Sequence, residues 1–376
     1  MRLDVNGTLD TTFGKGGIDS TINFWAEYSS SAVALQPDGK IVVAGSVFNT
    51  TLGIGRLLPN GSPDSSFGTN GLVNTGFWSA WAYGSVSAVG VMPDGRIVAV
   101  GSTSTGLMIA VRMMPDGSPD TSFYHTGVVT TTGGENFGSG NAMLLQQDGK
   151  IIIAGATFGA HPGGDFALVR YDTDGTLDRS FGDTGVVNID FDGSDAEATA
   201  LCIANDGQLI ITGVINSRFG LVRINSNGNI DSSFGNNGAI TTTIQDGDDI
   251  PKGIAVQYDG KIVVVGWSYN SAMLGDDPTV ARYIAEPPAA VKQVIYLSEY
   301  PVLYPNPSTG KLSINELSIS HIINITAADI TGQKIELSYK APDDEIMVNH
   351  VPNGMYLFKI SFDYRPPIVQ KILIEN

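Results

Sequence analysis

Three features of the sequence predict an all-β chain built by repetition. First, an apolar run, Asp-Gly, a polar residue and an aliphatic run closing on Gly form one phrase that occurs five times, at 35–45, 91–101, 145–155, 203–213 and 256–266. Its Asp-Gly steps begin at Asp38, Asp94, Asp148, Asp206 and Asp259, 53 to 58 residues apart, a period at which repeats stack into solenoids or propellers. Second, a phrase around Asp-x-Ser/Thr-Phe recurs at 9–14, 63–68, 119–124, 177–182 and 230–235. Third, Gly supplies 46 of the 376 residues, as many short strands joined by many turns require. Together these predict a β-propeller of about five four-stranded blades over residues 1–285, a linker at 286–301 and a small Ig-like β-sandwich at 302–376.

Within the first repeat, 32–36 and 41–46 are the arms of a tight hairpin. Asp38-Gly39 suits a type I′ turn, whose two central positions need positive φ. The third strand is 52–58, Asn60-Gly61 turns the chain, and 71–75 is the fourth. The Phe of the second phrase reads as a plug between neighbouring blades and its Asp as a backbone cap. The innermost strands should carry small residues where blades converge, which selects 32–36, 88–92, 142–146, 200–204 and 253–257.

The ends of the array do not match. Residues 2–7 repeat the phrase at 56–61, so the chain begins in the middle of a repeat, and the strand at 279–285 has no fourth strand after it. A five-bladed ring closed by 18–23 and an incomplete piece of a larger ring both stay open at this point.

Lys and Arg number 21 against 38 Asp and Glu, a net charge of −17, which argues against a nucleic-acid partner that would need a basic footprint. Many of these acids sit in turn phrases, so the charge reads as turn chemistry and solubility. Cys202, the single cysteine, excludes an intrachain disulfide and reads as a small core residue. No apolar stretch approaches the roughly 20 residues of a membrane span, and no apolar signal region follows Met1.

The recurring pattern, with LDRSFGDTGVV at 177–187, LQQDGKIIIAG at 145–155 and ALVRYDTDGTLD at 167–178, closely resembles the delta-sixty repeat. That family is regarded as a β-propeller, with an inner hairpin similar to the NHL blade. The resemblance covers 2–285 and implies architecture rather than activity. After Ile284 the grammar changes. Tyr304-Pro305-Asn306-Pro307, Gly310-Lys311, Asp329-Ile330-Thr331-Gly332, Gly354-Met355-Tyr356 and a last run through Lys371 read as strands with turns at Thr331-Gly332 and Asn353-Gly354. Their order and position resemble the type A sorting domain of the type IX secretion system. This implies a secreted or surface protein of a Gram-negative bacterium, with the secretion machinery as partner. The family also needs an N-terminal signal peptide, and its absence here favours a missing N-terminus.

Chemistry is sparse. His125, His161, His321 and His350 are scattered without HExxH spacing, and no G-x-S-x-G elbow or phosphate loop occurs. The inner strands end on Gln36, Met92, Gln146, Ala204 and Gln257, not on a carboxylate pair of the glycosidase kind. The acidic loops at 190–197 and 246–249 offer calcium candidates in Asp190, Asp192 and Asp195, but neither fits a twelve-residue calcium loop, and solvated loops are the simpler reading. No other cofactor is indicated.

Length variation falls in the loops after the second and fourth strands, on one face, which often marks a binding side. Trp25, Tyr28, Trp78, Trp81, Tyr83, Trp267 and Tyr269 lie in or next to these loops. They could stack on sugars or apolar protein patches, or form a lid over the core between blades. The expectation is a secreted binding or adhesion module with surface glycans or proteins as partners. A polysaccharide or peptide hydrolase and a structural spacer are the alternatives.

Overall fold

The computed structural model describes residues 1–19, 30–47, 51–75, 84–103, 105–132, 137–158, 164–182, 184–271, 275–284, 291–296, 303–304, 311–314, 322–329, 332–340, 345–348, 351–362 and 368–374. The chain divides into two compact units, Met1–Leu274 with Ala281–Val294, and Gly275–Val280 with Ile295–Asn376.

Strands pair with their neighbours in chain order to give five four-stranded sheets, the blades. The first holds β1 (Ser30–Leu35), β2 (Ile41–Val47), β3 (Thr51–Leu57) and β4 (Leu72–Asn74). The second holds β5 (Gly84–Val91), β6 (Ile97–Thr103), β7 (Met108–Met113) and β8 (Val128–Thr131). The third holds β9 (Phe137–Leu145), β10 (Ile151–Phe158), β11 (Asp165–Tyr171) and β12 (Val186–Ile189). The fourth holds β13 (Ala196–Ile203), β14 (Leu209–Ile215), β15 (Arg218–Ile224) and β16 (Ala239–Thr242). The fifth holds β17 (Asp249–Val256), β18 (Ile262–Asn270), β19 (Gly275–Tyr283) and β20 (Val291–Tyr296). The chain is thus all-β with the four-stranded sheets of a propeller, and the innermost strands β1, β5, β9, β13 and β17 pack on one another in that order.

Both faces of the second strands are buried in the second, third and fourth blades, because those blades are covered on two sides, whereas β2 and β18 bury one face each. Ile210 faces the fifth blade with Phe219, Phe234, Ile262 and Val264, whereas Leu209 and Ile211 face the third with Ile152, Phe166 and Phe181. Equivalent cores join the first blade to the second through Ile54, Phe67 and Val111, and the second to the third through Val98, Phe123 and Val169. Each fully buried aliphatic or aromatic side chain contributes about 1.5–3 kcal/mol, so the joints between blades carry the stability of the array. Cys202 is half-buried beside the core between the fourth and fifth blades, and burial pushes its thiol up to about 11.

Two sequence expectations need correction. The Asp-Gly turns are not type I′, because only the Gly takes positive φ, +81° at Gly39 and +85° at Gly95. Gly39 N donates to Gln36 O and Gln36 N to Lys40 O, so Pro37-Asp38 forms the turn and Gly39 closes it as a left-handed bulge. The Asp38 carboxylate accepts from Lys40 N, which explains the Asp without a positive φ there. The second correction concerns the fifth blade: its fourth place is filled by β20, from the segment expected to be linker. No Phe phrase precedes Val291, so that strand carried none of the marks by which the others were read.

The second unit has two antiparallel sheets. One is β21 (Leu303–Tyr304), β22 (Lys311–Ile314), β26 (Glu345–Val348) and β25 (Leu337–Lys340); the other is β24 (Lys334–Ile335), β23 (Ile322–Asp329), β27 (Gly354–Phe362) and β28 (Ile368–Ile374). Leu312 and Ile346 from the first and Phe358, Ile360 and Ile372 from the second share one core, which makes a two-layer sandwich. Gly354 opens β27 instead of turning a hairpin, since β26 and β27 lie in different sheets.

Candidate functional site

The residues that recur most strictly build the joints. In the second blade, Arg112 of β7 lies over the Phe123 ring at 4.5 Å, donates from Nε to Asp120 at 2.7 Å and from Nη2 to Ser122 Oγ at 3.1 Å. Its third donor, Nη1, reaches the carbonyl of Thr173 in the third blade at 2.6 Å. The same set forms at Arg56 with Asp64, Ser66, Phe67 and Pro115 O, and at Arg170 with Asp178, Ser180, Phe181 and Ser226 O. Arg2 repeats it with Asp10, Thr12, Phe13 and Pro59 O, which confirms that residues 2–13 are repeat material.

The Phe is therefore a plug and the Asp a cap, but the Arg that ties both to the next blade was missed. Its signal was available as a fixed spacing of eight residues, Arg to Asp, across five repeats. Burial alone would raise the Asp64 and Asp178 carboxyls. Hydrogen bonds from Ser66 and Lys40, and from Lys150 and Ser180, together with the arginines, hold them well below the usual range. These groups are committed to structure.

A second set sits on the innermost strands. Each carries a one-residue register slip against its neighbour, at Ser31, Ser87, Asn141, Thr199 and Lys252. A bulge turns a side chain out of the pleat, and bulges are frequent beside functional sites. Here they set polar groups on the strands nearest the axis, just ahead of the Ala or Gly that lets the blades converge. Asn141 Nδ2 donates to Glu197 Oε1 at 2.8 Å and to Ala198 O at 2.9 Å, and Thr199 Oγ1 to Pro251 O at 2.8 Å, so each crosses to the next blade. Lys252 is exposed. The sequence hid this set because a bulge is a property of pairing, not of one strand.

Of the predicted aromatic contacts, Trp25, Tyr28, Trp78, Trp81 and Tyr83 lie outside the described residues. Trp267 and Tyr269 are half-buried and lie within β18. They alternate onto the face of Val263 and Val265, opposite the one packed on the fourth blade. Tyr269 also lies against Gly247, whose added Cβ would meet the ring and Tyr269 Cβ, the latter at 2.9 Å. That acidic loop is internally held: Asp249 is buried and accepts from Ile244 N at 2.8 Å, and Asp246 accepts from Ser271.

The calcium candidates Asp190, Asp192 and Asp195 are exposed, and Asp190 accepts from Gly193 N at 2.8 Å. Among the described residues no three His, Cys, Asp or Glu side chains gather as metal ligands would.

In the sandwich, Asp329 and Gly332 shape one hairpin: Asp329 Oδ1 accepts from Gln333 N at 3.0 Å, and Gly332 has φ +92°. Tyr356 is buried and donates to Pro352 O at 2.8 Å. Lys371 of β28 pairs with Leu357 of β27, and Gly354 with Ile374. Pro305, Asn306, Pro307 and Gly310 lie outside the described residues.

Comparison with known proteins agrees with this division. Residues 36–67, 93–123, 146–181, 204–234 and 257–283 match the domain of unknown function DUF5122 beta-propeller, the delta-sixty type. Residues 302–375 match the secretion system C-terminal sorting domain. Similar solved structures include a protein of unknown function from Bacteroides caccae, 11% identical with a TM-score of 0.44 over 72% of this chain and 82% of that one. Another is virginiamycin B lyase from Staphylococcus aureus, 12% identical with a TM-score of 0.40 over 92% and 95%. No curated protein matches. The sorting domain indicates secretion or display at the cell surface through the type IX system. Among the described residues no helix is long and apolar enough to cross a membrane.

Proposed function

We propose, for a chain of DUF5122 propeller repeats ending in a type IX sorting domain, that the propeller is a non-catalytic binding or adhesion module. The observation that carries this is the fate of the repeated ionisable groups. The pairs Arg56–Asp64, Arg112–Asp120 and Arg170–Asp178 are buried in the joints, where ion pairs and stacking hold the carboxylates charged and in place. A general acid needs a raised carboxyl, and these are lowered. What varies in sequence is the loops after the second and fourth strands, and their aromatic residues, Trp78 and Trp81 foremost, are of the kind that stacks on a sugar or an apolar protein patch.

The tail directs the propeller to the outer surface of a Gram-negative cell, where it is removed or anchored. The test uses the full-length chain on glycan and protein binding panels beside a polysaccharide and peptide hydrolase panel. Saturable binding without turnover is expected, weakened by Trp78→Ala with Trp81→Ala. Turnover abolished by Glu197→Gln would replace this reading with a hydrolase centred on the axis. Unchanged export after deletion of 304–376 would overturn the role of the tail.

A further inference from the structure

One joint departs from the others at its outer rim. Between β8 of the second blade and the Phe phrase of the third lies an open groove of about 750 Å³. Its lining includes Thr131, Thr176 and Thr184, the buried Val129, and Tyr124 and Arg179. The Tyr171 hydroxyl donates to Thr131 Oγ1 at 2.7 Å, which leaves the Thr131 hydroxyl its own proton to donate.

Tyr124 and Arg179 are exceptions to the array. Gly14, Gly68, Gly182 and Gly235 occupy the position of Tyr124 in the other repeats, with φ between +52° and +58°. Tyr124 takes the same left-handed conformation at φ +48°, and His125 follows at +62°, a conformation a side chain disfavours. The ring is half exposed, so burial does not repay the strain. Arg179 stands where the other repeats have Thr11, Ser65, Thr121 and Ser232. It is exposed, and among the described residues no carboxylate pairs with it. An aromatic ring, a guanidinium with no carboxylate partner among the described residues and threonine hydroxyls thus share one groove that the repeat does not require.

We propose that this groove binds an oligosaccharide carrying a carboxylate or sulfate. The guanidinium takes the anionic group in a two-point hydrogen bond, the hydroxyls pair with sugar hydroxyls, and Tyr124 stacks on a ring face. The proposal rests on the reading of the propeller as a binding module and names one site of it.

The test is calorimetric titration of the full-length chain with tetragalacturonate, a sulfated galactan tetrasaccharide and an uncharged galactan tetrasaccharide. Two variants restore the residues of the other repeats, Arg179→Ser and Tyr124→Gly, and so keep the fold. Binding of one charged sugar is expected, weakened about tenfold or more by each variant, with the uncharged sugar at least as weak. The charged sugar that binds identifies the anionic group. No binding of either charged sugar, or binding unchanged in both variants, overturns the groove. Binding that survives both variants but is lost in Trp78→Ala with Trp81→Ala would overturn it while leaving the module reading intact. Turnover of a tetrasaccharide that survives both variants would overturn both.

Discussion

Arg112 and Arg2 make the same contacts in different surroundings. Arg112 and Asp120 are 1% and 4% exposed, whereas Arg2 and Asp10 are 36% and 17% exposed. Each stacks on its Phe, pairs with the Asp eight residues on and reaches a carbonyl of the next blade. The clamp is therefore specified by local sequence and forms without burial. Burial decides how much it matters, because a partner left alone in the interior loses solvent as well as its counter-charge.

The largest test of that contrast is Arg112→Ala against Arg2→Ala. The first strands Asp120 inside a joint and should lower unfolding stability by about 3–5 kcal/mol in chemical denaturation, while the second should leave the midpoint unchanged. Equal losses would show that the contacts and not their surroundings set the effect. Next come the turn glycines. Gly175→Ala puts a Cβ 2.9 Å from the Phe123 ring at φ +84°, whereas Gly7 has φ +81° and nothing within 4 Å. Gly7→Ala should cost only the backbone penalty of about 1–2 kcal/mol, and Gly175→Ala measurably more.

Acid provides a third test. The Asp64, Asp120 and Asp178 carboxyls titrate below their unfolded value, so their contribution is full above about pH 4 and is lost as pH falls further. Denaturation midpoints should stay level from pH 7 to about 5 and fall below 4, with a shallower fall in Asp120→Asn. A smaller effect is expected of Lys150→Met. Lys150 is a second, quarter-exposed cation on Asp178, and its loss should cost about 0.5–1 kcal/mol by thermal denaturation. A loss as large as that of Arg112→Ala would assign the joint to the Lys of the Asp-Gly phrase.

The hairpins, the Phe plugs and the order of strands were legible because each depends on residues close in sequence. The Arg was less so, since an Arg inside an apolar strand reads as an exposed position until its partner across the turn is known. The turn type was misread for a related reason: Asp38 caps Lys40 N, so an Asp that stabilises one turn looked like an Asp tolerating another. The polar set at Ser31, Ser87, Asn141, Thr199 and Lys252 depends on how two strands slip against each other, which no single strand encodes. Tyr124 and Arg179 were readable by alignment of the repeats, as the places where one copy breaks the rule of the rest.

Four of the clamps, at Arg2, Arg56, Arg112 and Arg170, donate to a turn carbonyl of the next repeat, through Pro59, Pro115, Thr173 and Ser226. A backbone carbonyl is present whatever the side chain, so the acceptor survives substitution of the residue that bears it. The polar half of such a joint is indifferent to which copy of the unit comes next. Duplication or loss of a whole repeat within the gene would preserve that half at the new junction, and only the apolar half would have to be remade from the side chains of the two blades brought together.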